Sequence, residues 1–360
     1  AAAGLALFAM IYGTRRYEAA GRNDSVLFAV GIESVVKIGG LTLAGIAALM
    51  MLGTVPEQAL TQGLYKLSMN FAPSRIGADF FVIAFLSMAA IVCLPRQFYV
   101  MAIEAQSSQD IRRARWPFIT YMLATLLLVL PISAAGLALL PGTVRTDLYV
   151  LQLPLSQGMH GLALIVFLGG FSAATAMVLV ETIALSTMVS NDLIAPFLLR
   201  SRRWSADADM GGAVLLIRRL VIAMIMAGAV GWALGIRDNE RLASIGLVAF
   251  AAMSQFAPVL ILAVMGSNRD ALAAKAGLGV GLALWLYTLA LPEVASPAFL
   301  AKLAGSPINP NALLGIDGLS PISHGTLWSL GGNLVAYVLM TMRRMQPVSL
   351  PNFLYKSHDS

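Results

Sequence analysis

The stretch Gly161–Arg200, GLALIVFLGGFSAATAMVLVETIALSTMVSNDLIAPFLLR, gathers the residues of this chain best suited to chemistry in an apolar setting. Glu181 stands near the middle of a run long enough to cross a bilayer. An ionised acid at the centre of a spanning helix costs about 2.5–3.5 kcal/mol on insertion scales. Such residues face a bundle interior or a wet cavity, so Glu181 reads as cavity-facing. Ser172, Thr175 and Thr182 fall on one helix face, and Ser186 and Ser190 continue from Thr182 at intervals of four. This stripe reads either as a polar path for solute or ions, or as small hydroxyl residues that let helices approach closely.

Other polar residues punctuate apolar runs. Glu33 and Lys37 are four apart and share one helix face, Glu33 about 10 Å from the helix end at ~1.5 Å per residue. They read as a self-neutralising intramembrane ion pair or as a gating or proton-coupling pair. Leu94-Pro95-Arg96-Gln97 places a proline, which removes a backbone donor, beside a cation and an amide. It predicts a kink with a snorkelling arginine, or a break whose freed backbone groups bind solute. Ser254-Gln255-Phe256-Ala257-Pro258 predicts a second distorted helix with Gln255 turned into the bundle. Lys275 reads as a snorkelling residue. His160, His324 and His358 fall in loops or at helix ends and read as solvated, His324 as a cap or interfacial residue. Cys93 reads as a small buried filler. Metalloprotease, P-loop, nucleophile-elbow and Cys/His-cluster patterns are missing from the sequence, which argues against an enzyme.

The elements that must position these residues are membrane helices. Of the 360 residues 58% are hydrophobic and 12% charged, with a mean hydropathy of +0.79; a soluble domain carries about 25% charge. The fold expected is all-α, a polytopic bundle in a lipid bilayer. Nine apolar segments are read: Ala1–Gly13, Val26–Leu52, Phe80–Ile103, Trp116–Leu140, Gly161–Ser190, Ala213–Ile236, Leu242–Met265, Ala271–Leu291 and Gly325–Met342. The first is too short to span and is expected to continue a helix that begins upstream. Arginines cluster in alternate loops, at Arg15, Arg16 and Arg22, at Arg112, Arg113 and Arg115, and at Arg200, Arg202 and Arg203. The positive-inside bias makes these loops and the end after Arg344 cytoplasmic. The net charge of +6 therefore reflects membrane topology, and no nucleic-acid partner is expected. PEQALTQGLYKLS is expected as a short surface helix, residues 1–344 as one transmembrane domain, and 345–360 as a polar cytoplasmic tail.

Several strings together resemble one family. YGTRRYEAAGRNDSVLFAVGIESVVKIGGL, CLPRQFYV, GGFSAATAMVLVETIALSTMVSNDLIAP, LASIGLVAFAAMSQFAPVL and HGTLWSLGGN are similar to the sodium:solute symporter family. More narrowly, they resemble the transporter-like sensor region of CbrA-type bacterial hybrid histidine kinases. The resemblance implies a partial LeuT-like fold that lacks the first helices and keeps the second repeat, so that this stretch alone would not transport. It also implies an inner-membrane location, a small solute such as the amino acid histidine, and a histidine kinase domain in cis. Na+ would be the coupling ion, but the positions that complete a sodium site in the family fall here on Ala173, Ala176 and Met177, with Ser172 and Thr175 one step out of register. The rival expectations are a plain secondary symporter and a non-transporting membrane scaffold for a kinase. Ser172, Thr175, Glu181, Thr182, Ser186, Gln97 and Gln255 are the candidate solute and ion path.

Overall fold

The computed structural model describes residues 2–13, 24–101, 105, 107–194, 196, 210–235, 242–265 and 270–345, and every described element is helical. The arginines at 15, 16, 22, 200, 202 and 203, His358 and the tail lie outside the described residues. In chain order the helices are α1 (Ala2–Gly13), α2 (Asp24–Leu52), α3 (Glu57–Met69), α4 (Ala78–Cys93), α5 (Pro95–Tyr99), α6 (Ser108–Leu139), α7 (Tyr149–Ser156) and α8 (His160–Met188). They continue with α9 (Met210–Gly235), α10 (Leu242–Met253), α11 (Ala257–Val264), α12 (Ala271–Trp285), α13 (Leu291–Val294), α14 (Pro297–Leu303) and α15 (Pro321–Met345).

Among the described residues six helical stretches are long and apolar enough to cross a membrane: Phe28–Leu52, Ser108–Leu139, His160–Asn191, Val214–Leu234, Ser244–Val264 and Ala271–Val294. The chain is thus a multi-pass helical membrane protein. Of the nine apolar segments, the first, expected to be too short to span, and two of the eight expected crossings are absent from these six. α1 is 12 residues long. α4, at 16 residues, stops where Pro95 begins a new helix, because Leu94 is extended (φ −63°, ψ 132°). α15 has the length, 25 residues, but its first three turns carry Ser323, His324, Thr326, Ser329 and Asn333 and are too polar to qualify.

The described residues form two compact units, Ala1–Gly77 with Leu94–Ile245, and Ala78–Cys93 with Gly246–Ser360. In the first, α2 packs on α8 and α6, and α3 packs on α6; the expected surface helix is therefore seated against a spanning helix. The core of this unit is built from Ala44, Ala47, Ala48 and Met51 of α2, Ile132 and Ala135 of α6, Tyr149 and Leu153 of α7, and Val166 of α8. Small residues sit inside and large ones outside: on α8 Ala163 is 4% exposed while neighbouring Leu164 is 58%. That distribution suits lipid, where association rests on close backbone approach rather than on hiding apolar bulk. Where α2 crosses α8, a Cβ on Gly40 would lie 3.8 Å from Gly169 Cα. A second cluster joins Ala9 of α1 to Ile222 and Met226 of α9.

In the second unit α12 and α15 run antiparallel in close contact. Leu289, just past α12, meets Gly325, Leu284 meets Gly332, and Gly277 meets Tyr337. Leu86 of α4, Val248 and Ala251 of α10 and Leu289 form its core, and Trp285 donates its indole N–H to Val248 O at 2.9 Å.

Close approach is tightest at Gly136, where a Cβ would stand 2.1 Å from Tyr149 Cδ2. Gly136→Ala must displace a buried ring and should cost about 1–3 kcal/mol. Gly228→Ala, with nothing within 4 Å of its Cβ, should not. Thermal unfolding in detergent reads this as a clear drop in Tm for the first variant only.

Candidate functional site

Three stretches of spanning helix lose regular α geometry, and each lies just before a proline. Residues Val189–Ile194 and Leu286–Ala290 are π-helical, and Ser254–Phe256 is 3-10. Pro196, Pro258 and Pro292 each follow two residues after the segment ends. A proline cannot donate to the carbonyl four residues back and its ring crowds that carbonyl. The carbonyls concerned belong to residues 192, 254 and 288, inside the three segments. Such interruptions recur at functional sites, and at membrane depth they survive only where protein or water satisfies the backbone.

In the second unit buried polar side chains gather at the Ser254–Phe256 break, where Ser254 O accepts the Ala257 N–H. Asn333 of α15 donates from Nδ2 to Gln255 O at 2.8 Å and to Gln255 Oε1 at 3.1 Å. Gln255 donates from Nε2 to Ser329 Oγ at 3.0 Å and to Ala251 O at 3.2 Å, and Ser329 donates on to Gly325 O at 2.7 Å. Ser254, Gln255, Ser329 and Asn333 are all 0% exposed. The network fits because α12 presents glycine to it: a Cβ at Gly281 would lie 2.3 Å from Gln255 Oε1, and one at Gly277 2.7 Å from Asn333 Oδ1. Thr288, also buried, donates to Leu284 O at 2.7 Å across the next irregular segment.

In the first unit the Val189–Ile194 segment meets Arg218 of α9. Arg218 is 3% exposed within a spanning stretch and donates from Nε to Ser190 Oγ at 3.2 Å and from Nη2 to Asn191 Oδ1 at 3.1 Å. Further along α8, half-buried Glu181 lies within electrostatic reach of Arg96 on α5, and Arg96 and Lys37 both act on half-buried Glu33 of α2. α2, α5 and α8 thus bring two carboxylates towards one guanidinium.

The expected site residues divide accordingly. Gln255 lies at the centre of a buried network, and Glu181 and Glu33 converge on Arg96. Glu33 and Lys37 are not joined within the 4.0 Å of an ion pair, and Lys37 is exposed, so the expected self-neutralising pair is not closed. The hydroxyl stripe is largely spent on its own helix. Thr175 donates to Ser172 O at 2.9 Å, Thr182 to Val178 O at 2.6 Å, and Ser186 to Ile183 O at 2.9 Å. Thr182 and Ser186 are fully buried, in keeping with close helix approach. Gln97 is half-buried on α5. Ala173 and Ala176 are half-buried, while Met177 is 42% exposed. These three side chains offer no oxygen, and among the described residues no group of three or more His, Cys, Asp or Glu is placed to hold a metal.

His160 is exposed as expected, but His324 is not solvated: it is 1% exposed, and Nε2 accepts the Leu313 N–H at 3.0 Å. Sequence reasoning passed over Arg218 and Asn333. Arg218 adjoins Arg219 near the start of an apolar run, where arginines ordinarily snorkel. Asn333 had a signal in the polar face Ser329, Asn333 four residues apart on α15.

The Gln255–Asn333 network predicts strong coupling. Asn333→Ala removes the donor to the buried Gln255 Oε1 and should destabilise by about 1–3 kcal/mol. Adding Gln255→Ala should cost less than the sum of the two by about 1 kcal/mol, measured by chemical denaturation of the solubilised protein.

No protein family model, no curated protein and no solved structure matches this chain.

Proposed function

We propose that this chain is the solute-responsive membrane module of a sodium:solute symporter-like protein, a partial LeuT-like bundle that takes an amino-acid-like solute and biases a histidine kinase domain in cis. The observation that carries the reading is that Glu33 and Glu181 lie half-buried in two spanning helices, each within electrostatic reach of Arg96 on the short helix α5. Placing these charges in apolar helices is costly and marks a solute or ion path by default. A zwitterionic solute presents an ammonium and a carboxylate, and this cluster offers both signs to receive them. The broken helix at Leu94–Pro95, immediately before Arg96, adds backbone groups that point out of the helix ladder.

Solute would act by binding one arrangement of the helices better than another, and can shift their populations only by that difference. Arg96 would take the solute carboxylate and Glu181 its ammonium. Ala173, Ala176 and Met177 leave the family's sodium position without side-chain oxygens, and the response proposed here needs no sodium there. The arginine-rich loops support an inner-membrane chain with a cytoplasmic C-terminal end.

The test is binding of a panel of amino acids to the protein in lipid nanodiscs, followed by intrinsic tryptophan fluorescence. At least one amino acid should give a saturable change, and Glu181→Gln should weaken it about tenfold or more, as loss of a charge-assisted contact does. No response to any member of the panel, or an unchanged response in Glu181→Gln, would overturn the proposal.

A further inference from the structure

The loop between α14 and α15, residues 304–320, is held to the second unit by few bonds, and one of them depends on a titratable ring. The Tyr287 hydroxyl donates to Ile308 O. Leu313 N–H donates to His324 Nε2 at 3.0 Å. Ser320 donates to Asp79 Oδ1 at 2.6 Å and Ser323 donates to the same oxygen, while Ser320 Oγ accepts the Ser323 N–H at 3.3 Å as a cap on α15. Between these anchors the chain makes a tight turn. Leu314 stands at φ 56°, the one described non-glycine residue with positive φ, and donates to Pro307 O at 2.8 Å. A left-handed conformation costs a residue with a Cβ about 1 kcal/mol, and 66%-exposed Leu314 gains no burial in exchange. Backbone bonds close the turn, Ala312 N–H to Asn309 O at 3.1 Å and Gly315 N–H to Ala312 O at 3.0 Å, and the bond from Leu313 to His324 ties it to α15.

A backbone N–H can only donate, so His324 Nε2 must carry a lone pair and the ring proton must reside on Nδ1. That Nδ1 is buried without a partner. The imidazole is thus held neutral, in one tautomer, beside a strained turn. We propose that His324 is a proton-operated latch: when the ring takes up a second proton, Nε2 can no longer accept from Leu313, and the turn at 309–316 is released from the head of α15.

The charges around the latch leave the ring as the moving part. Asp79 of α4 is engaged by Ser320 and Ser323, whose hydroxyls hold its carboxyl below the usual carboxylate range. Tyr287 is bound to Ile308, Glu293 lies on α13, and Lys302 and Asp317 flank or lie in the loop. Lys275 of α12 and Arg343 of α15 lie towards the opposite end of the helix pair, since Gly277 already meets Tyr337. α10 and α11 contribute no charged residue among those described. Burial alone pushes the His324 imidazole below its ordinary value. The folded loop thus binds fewer protons than the released one. Its hold is full above the ordinary histidine value, about 6.5, and is lost as pH falls through the lowered folded one.

The test is amide hydrogen exchange of the full chain in nanodiscs, corrected for the intrinsic pH dependence of exchange and read on the peptide covering Leu313–Ile316. Exchange should accelerate about tenfold between about pH 8 and about pH 5 in the wild type. In His324→Gln, whose carboxamide oxygen can accept but does not titrate, it should stay flat. Asp79→Asn should keep the acceleration. A flat wild-type profile, an acceleration that persists in His324→Gln, or one that disappears in Asp79→Asn would each overturn the latch. The wild-type profile alone decides the matter if a variant does not fold.

Discussion

Asn333 Nδ2 reaches across from α15 to the main-chain carbonyl and the side-chain oxygen of Gln255, where α10 gives way to a 3-10 turn. In water those oxygens would find solvent donors. In a bilayer a buried polar group without a partner costs several kcal/mol, so a helix can be broken there only if something stands ready to satisfy it. Much of the described architecture follows from this requirement. Prolines 196, 258 and 292 each distort a spanning helix, and buried polar side chains gather at the distortions: Arg218 with Ser190 and Asn191, Asn333 with Gln255, and Thr288. Glycine is then favoured on the facing helix, because a Cβ at Gly277 or Gly281 would enter the space that the Gln255–Asn333 pair occupies.

The same requirement separates structural polarity from functional polarity. The hydroxyls of Thr175, Thr182 and Ser186 fold back on carbonyls of their own helix. Such groups are self-sufficient and need no solute. Glu33 and Glu181 differ, because neither makes a contact of ion-pair length although Arg96 acts on both. They are the groups whose partner a solute could become.

How much of this could be read in the sequence depends on the range of the interaction. The apolar runs, the break at Pro95, the distortion before Pro258 and the buried position of Gln255 are local consequences of residue type and spacing, and the sequence displays them. The helix at Glu57–Met69 was equally legible, though not its seat on α6. The reading stops where two distant segments meet. Nothing near Asn333 says that it completes a helix 78 residues away. Nothing near Arg218 says that the irregular segment 28 residues earlier will accept its guanidinium. His324 looked solvated because a histidine opening a helix usually is; the loop that folds over it places Leu313 there through a turn at Leu314 that no residue preference favours. Glu33 and Lys37 show how far spacing reaches: it puts Lys37 within electrostatic reach of Glu33 without closing the two to ion-pair length.

The central claim is that the ionisable residues of the spanning helices, Glu181 first among them, face protein and water rather than acyl chains. The most direct measurement places a single cysteine at position 181 in a Cys93→Ser background in vesicles. It compares labelling by a water-soluble maleimide with quenching of a fluorophore there by spin-labelled lipid tails. The account predicts labelling from the aqueous phase and little quenching from the bilayer. Strong lipid quenching with no aqueous labelling would put that position in the hydrocarbon and contradict it.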